Sequence, residues 1–157
     1  MPDKKGQAGG IGIVILIAII IIALILLFQN QNQTYVPGVD FKINPESVQI
    51  KDGSYSRIVT ITVTKTDNEY KQTEFTIKLN SDTSNVYVVS VNNNQTVTEY
   101  NTKPLIDPQA SDPFQFKVFG TLPAGYSTAT THVNAQLLYN NTPIAGKEVT
   151  LTIDITK

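Results

Sequence analysis

The sequence predicts an all-β antiparallel sandwich of about seven or eight strands, preceded by one N-terminal transmembrane α-helix. Three observations carry this reading. Residues Ile11 to Phe28 form an unbroken apolar run, several later runs alternate strictly between apolar and polar residues, and clusters of Asn, Asp, Gly and Pro punctuate them.

The apolar run contains no charge, no polar side chain and no proline. Its 18 residues would span about 27 Å as a helix, close to the hydrocarbon thickness of a bilayer. A soluble helix needs one polar face, and this one would be apolar all round. Lys4 and Lys5 precede the run, and the next basic residue is Lys42. Positive charge inside places the N-terminus in the cytoplasm and the rest of the chain outside, as a single-pass protein of the cell membrane. The expected division is a cytoplasmic basic segment over 1–10, a transmembrane helix over 11–28, a polar linker over 29–38 and an extracytoplasmic domain over 39–157. The linker stretch Gln29–Pro37 has neither a helical nor an alternating apolar pattern.

From Val39 onward the period is two. Val59, Ile61 and Val63 alternate with threonines, Phe75, Ile77 and Leu79 with Thr76 and Lys78, and Phe114, Phe116 and Val118 with Gln115 and Lys117. Val149, Leu151, Ile153 and Ile155 close the chain in the same way. Turn chemistry sits between such runs at Asn44-Pro45-Glu46, Asp52-Gly53, Asp67-Asn68, Asn80-Ser81-Asp82, Asn92-Asn93-Asn94, Pro123-Ala124-Gly125 and Asn140-Asn141-Thr142-Pro143. A sheet with one apolar face requires a second such face against it, so a sandwich is the natural closure. At this size Ig-like Greek-key topology is the expectation, without the Cys and Trp of antibody domains, since the chain has neither residue. With no cysteine, packing and hydrogen bonds alone must hold the outer domain.

Composition narrows the function classes. Setting aside Lys4, Lys5 and Asp3 leaves ten basic and twelve acidic residues beyond the apolar run. A formal charge near −2 offers no field for a nucleic-acid partner. Three Asn-x-Thr patterns, at Asn32, Asn94 and Asn140, are candidate N-glycosylation acceptors, with Pro143 just after the third making it the poorest. His132 is the one histidine and reads as a strand surface residue. Asp107 and Asp112 flank a proline-containing loop and read as solvated. No Gly-x-Ser-x-Gly elbow and no phosphate loop are present, and no nucleotide fold follows Gly9, Gly10 and Gly12. The expectation is therefore a protein that is not an enzyme, with no cofactor, no metal site and no small-molecule substrate. Tyr55, Tyr70, Tyr87, Tyr100, Tyr126 and Tyr139 read either as interface anchors or as strand residues packed at a sheet edge.

The residues before the apolar run, Lys4-Lys5-Gly6-Gln7-Ala8-Gly9, carry a family resemblance. They resemble the class III signal of archaeal type IV pilins and archaellins, in which a prepilin peptidase cuts before the helix. The resemblance implies peptidase recognition through Lys4, Lys5, Gly6, Gln7 and Gly9, cleavage of a 1–6 leader, and a mature chain starting at Gln7. It covers about the first thirty residues. The run departs from archaellins in being richer in isoleucine, and Ile11 stands where bacterial pilins carry a glutamate. Phe41–Gly53 is also similar to the opening strands of prokaryotic cell-surface sandwiches, and Leu137–Leu151 to a terminal hairpin.

What the resemblance implies is a structural subunit of an archaeal pilus-like filament, assembled through its hydrophobic helix. The alternative is an unprocessed, anchored Ig-like binding or adhesion module that contacts an S-layer or other surface proteins, as the archaellum stator does. Partners are membrane lipid in both cases, and copies of the same chain in the first.

Overall fold

The computed structural model describes residues 38–68 and 72–157. The leader residues Lys4, Lys5, Gly6, Gln7 and Gly9, the apolar run, the linker up to Pro37, Asn32 and Tyr70 lie outside the described residues. Among the described residues no helix is long and apolar enough to cross a membrane.

Ten strands run in sequence: β1 Val39–Asn44, β2 Ser47–Lys51, β3 Ser54–Tyr55, β4 Val59–Lys65, β5 Thr76–Ser81, β6 Val86–Ser90, β7 Glu99–Asn101, β8 Ser111–Gly120, β9 Thr128–Tyr139 and β10 Thr142–Thr156. They make two five-stranded sheets. The first has β1 on β4 and β4 on β8, with β3 and β6 also on β8, and the second has the order β2-β10-β9-β5-β7. With β1, β4, β8 and β6 in one sheet and β5, β9 and β10 in the other, the order matches the ABED and CFG sheets of an Ig-like sandwich.

The expected alternation builds this core. Val59, Ile61 and Val63 of β4 are wholly buried, as are Phe116 and Val118 of β8 and Leu151 and Ile153 of β10. They belong to one apolar cluster drawn from both sheets. Burying each such side chain stabilises by about 1.5–3 kcal/mol, and truncating one of the phenylalanines costs about 3–5 kcal/mol.

Two features differ from the expectation. The described residues form ten strands rather than seven or eight, because β3 and β7 are only two and three residues long and the opening stretch splits at Pro45. The sheets are also not wholly antiparallel, since β2 pairs with β10 in parallel. The chain changes sheets at Asn44-Pro45-Glu46, between β1 and β2. β1 pairs antiparallel with β4 in the first sheet, and after the bend β2 runs along β10 in the second.

The opposite side of the sandwich closes in a similar way. Ser90 N–H donates to the Gln95 carbonyl and Val97 N–H to that of Val88, so residues 95–97 line β6. The chain then crosses, with Leu79 N–H donating to the Thr98 carbonyl and β7 pairing with β5. Each side of the sandwich therefore carries a segment that passes from one sheet to the other, and on each side that segment supplies the edge strand of the sheet it joins.

Lys65 continues the inward alternation of β4 and is fully buried. Its ammonium donates to the Ile106 carbonyl at 3.3 Å and pairs with Asp67 at 3.5 Å. Such partners are what a buried charge requires. The chain enters the sandwich here, where the Gly38 carbonyl accepts Thr66 N–H. It leaves at the other end, where Asp52 N–H donates to the Thr156 carbonyl.

Candidate functional site

The two outer faces of the sandwich are chemically unlike. On the second sheet, register sets polar side chains opposite one another across β5, β9 and β10. Thr130 Oγ1 donates to Asp154 Oδ1 at 2.7 Å, Thr150 Oγ1 to Asn134 Oδ1 at 2.9 Å, and Gln136 Nε2 to Glu148 Oε1 at 2.6 Å. Asp82 accepts from Asn134 Nδ2 at 3.0 Å and lies 3.1 Å from His132 Nδ1. His132 thus sits on a strand surface, as expected. Its pairing with Asp82 is too exposed, at 42% and 45%, to contribute more than about 0–1 kcal/mol.

The far half of the first sheet is apolar outside as well as inside. β3, β8 and β6 bring Tyr55, Phe119 and Tyr87 into one row, because both tyrosines pair with Phe119 in register. Tyr55 meets Phe119 edge-on at 5.1 Å, and Tyr87 stacks on it at 4.9 Å. Partial removal of the Tyr87 phenol from water, together with the neighbouring Tyr55, raises its pKa above the usual value. From Tyr55 to Val59 the chain takes four steps while its partner strand takes three, from Phe119 to Phe116. This bulge sets Ile58 beside Lys117 on the outer face. Val91 N–H donates to the Gln115 carbonyl, adding Val91 to the same surface. Tyr55, Ile58, Tyr87 and Val91 are 51%, 45%, 37% and 37% exposed. Single exposed apolar residues are ordinary, whereas these four gather on one face of the sheet.

The remaining sequence candidates separate in space and role. Asp107 is exposed in a turn where its carbonyl accepts Ala110 N–H. Asp112 is buried on β8 and accepts from Tyr100 Oη at 2.7 Å and Lys103 N–H at 2.9 Å. Burial, then the Asp112 hydrogen bond and charge, push the Tyr100 phenol up to about 12. Tyr100 and Tyr139 pack against the core, stacked on Phe114 and tilted on Phe75, and so are packing residues. Asn94 and Asn140 are exposed on turns with φ of 56° and 49°.

Two surface features were not readable beforehand. A cleft of about 410 Å³ follows the seam between β1 and β10, lined by Phe41, Lys42, Ile43, Glu46, Val149 and Thr150. The Tyr55–Phe119–Tyr87 row joins residues far apart in sequence. Its only advance signal was the presence of aromatics at outward positions of alternating runs. Among the described residues no group of three or more His, Cys, Asp or Glu is placed to hold a metal ion.

No protein-family description and no curated protein match the chain. Among solved structures it is similar to a conjugative transposon lipoprotein from Bacteroides eggerthii, with 12% identity and a TM-score of 0.46 over 79% of this chain and 100% of that one. A PapD-like domain of human CEP192 matches with 10% identity and a TM-score of 0.41 over 80% and 90%. A FixG-related protein from Vibrio parahaemolyticus matches with 10% identity and a TM-score of 0.43 over 78% and 98%. At such identities these likenesses assign no activity to the chain.

Proposed function

We propose that the chain is a structural subunit of a pilus-like surface filament, inserted in the membrane through Ile11–Phe28 before assembly, with the sandwich as its outward head. The observation that carries this reading is the closure of both sides of the sandwich by segments of the chain itself. A head finished without a neighbour's strand does not need strand exchange to assemble. The all-round apolar N-terminal run is then the element left to join subunits, by packing against several like helices. The Lys4-Lys5-Gly6 triplet before it supports removal of a leader.

The test is the N-terminal residue and intact mass of the protein taken from its native membrane. A chain beginning at Gln7 supports the filament, and one beginning at Met1 sinks it. The second reading, an unprocessed Ig-like binding or adhesion module, is favoured by the exposed apolar surface on the first sheet. Under that reading the chain stays at Met1 and remains a membrane protein throughout.

A further inference from the structure

Of the six large apolar side chains exposed among the described residues, Tyr126 stands in the loop between β8 and β9, and the other five gather near one strand. Tyr55, Ile58, Tyr87 and Val91 gather around the last half of β8, with Lys117 among them. Ile106, 50% exposed, stands just before the start of β8, next to the exposed Asp107. From Ser111, at the start of β8, to Lys117, amid the first surface, the strand rises about 20 Å. One surface is an apolar field with the exposed Lys117 in it, and the other is a single exposed isoleucine directly followed by an exposed carboxylate, with Lys103 further back along the chain.

The Ile106 loop is also held in shape. Pro104 and Pro108 flank it, each restricting the backbone. The Ile106 carbonyl accepts the Lys65 ammonium, Gln109 N–H donates to the Lys65 carbonyl, and Ala110 N–H closes on the Asp107 carbonyl at 3.0 Å. A surface that is already ordered loses little entropy on docking.

From this we propose that heads associate head to tail, with Ile106 of one copy seated against the Tyr55–Phe119–Tyr87 row of the next and Asp107 paired with its Lys117. The occupant is a second copy because the chain itself supplies an ordered apolar loop whose exposed carboxylate complements the exposed lysine of the aromatic field. A two-fold contact of the aromatic face with itself would oppose Lys117 to Lys117. A contact between different surfaces propagates from copy to copy, along a fibre wherever its rotation does not close a ring. The proposal rests on the filament reading and adds to it a second, outer contact between subunits.

The chain has no cysteine, so engineered thiols report without background. The full-length protein in its native membrane, carrying both Tyr87→Cys and Ile106→Cys, should oxidise into a ladder of multiples. Each single variant should stay monomeric. Val91→Cys with Ile106→Cys is a second pair should the Tyr87 change disturb the row. Lys117→Glu or Asp107→Lys should cut cross-linking about tenfold, and the two together should restore it, as exchange of a charge pair across an interface does. Dimers from Tyr87→Cys alone, or no rescue by the double charge exchange, would overturn the proposal. Absence of a ladder in a chain that begins at Gln7 and forms fibres would overturn this contact and leave the filament reading standing. A ladder in a chain that begins at Met1 would support the contact and sink the filament.

Discussion

Tyr100 of β7 donates its hydroxyl to Asp112 of β8 at 2.7 Å, tying the edge of one sheet to the middle of the other. The Tyr100 ring stacks on Phe114 at 4.3 Å, so the polar tie sits directly beside core packing. Asp112 also accepts Lys103 N–H. Asp112→Ala removes the acceptor from both donors, and the expected cost is about 2–3 kcal/mol. Urea unfolding should show a lower midpoint at unchanged slope. Unaltered stability would show that water replaces the carboxylate at no cost.

The same tie gives the protein an alkaline limit. The Tyr100 phenol is held at about 12 in the fold against its ordinary value of 10.0. The folded state thus keeps a proton that the unfolded chain gives up. The stabilisation is complete below pH 10 and is lost as pH rises from 10 towards 12. Because the phenol is partly exposed to solvent, the loss should be about 1 kcal/mol rather than the full linkage value. Tyr100→Phe should be less stable at neutral pH and show a flatter decline above pH 10. An equally steep decline in that variant would assign the alkaline loss to other groups.

Ser56 fills the bulge between β3 and β4. Its backbone N–H donates to the Val118 carbonyl, while its hydroxyl accepts Val118 N–H at 2.9 Å and donates to the Arg57 carbonyl at 2.6 Å. The side chain replaces a backbone acceptor that the bulge has displaced. Ser56→Ala leaves a buried N–H unpaired, with an expected loss of about 1–3 kcal/mol. Ser56→Thr retains the hydroxyl and should recover most of it if the added methyl is accommodated. Amide exchange at Val118 should rise in the alanine variant, and unchanged exchange would refute the role.

The period-two runs were legible because inward and outward positions alternate whatever the neighbouring strand is. Val59, Ile61 and Val63 face the core on that ground alone. The sheet change at Pro45 was not legible, because Asn44-Pro45-Glu46 carries the same turn chemistry whether the next strand returns to its own sheet or joins the other. The parallel register of β2 on β10 follows from that choice. Tyr55, Phe119 and Tyr87 were visible only as scattered aromatics. Their meeting depends on two strand registers and a bulge, which are tertiary facts. Lys65 sits in phase with its strand, yet its charge argued for an outward place. Asp67 and the Ile106 carbonyl, which accommodate it, come from loops whose turn residues do not say which strand they will face.

The β9–β10 hairpin offers a test in which the backbone alone decides. Asn140 and Asn141 both take left-handed φ, at 49° and 62°, between the paired residues Tyr139 and Thr142. A two-residue turn with both central φ positive fits the right-handed twist of the flanking strands, and Asn followed by Gly suits it best. Asn141→Gly should therefore preserve or raise stability by a few tenths of a kcal/mol. Asn141→Ala should cost about 1 kcal/mol, the penalty for a left-handed conformation without a compensating side chain. Both variants keep Asn140 and Thr142, so any sugar on Asn140 stays in place and the comparison isolates the turn. Thermal unfolding should rank glycine at or above asparagine and alanine lowest. If alanine matched asparagine, the hairpin would be held by the long β9–β10 ladder with no measurable demand on its turn.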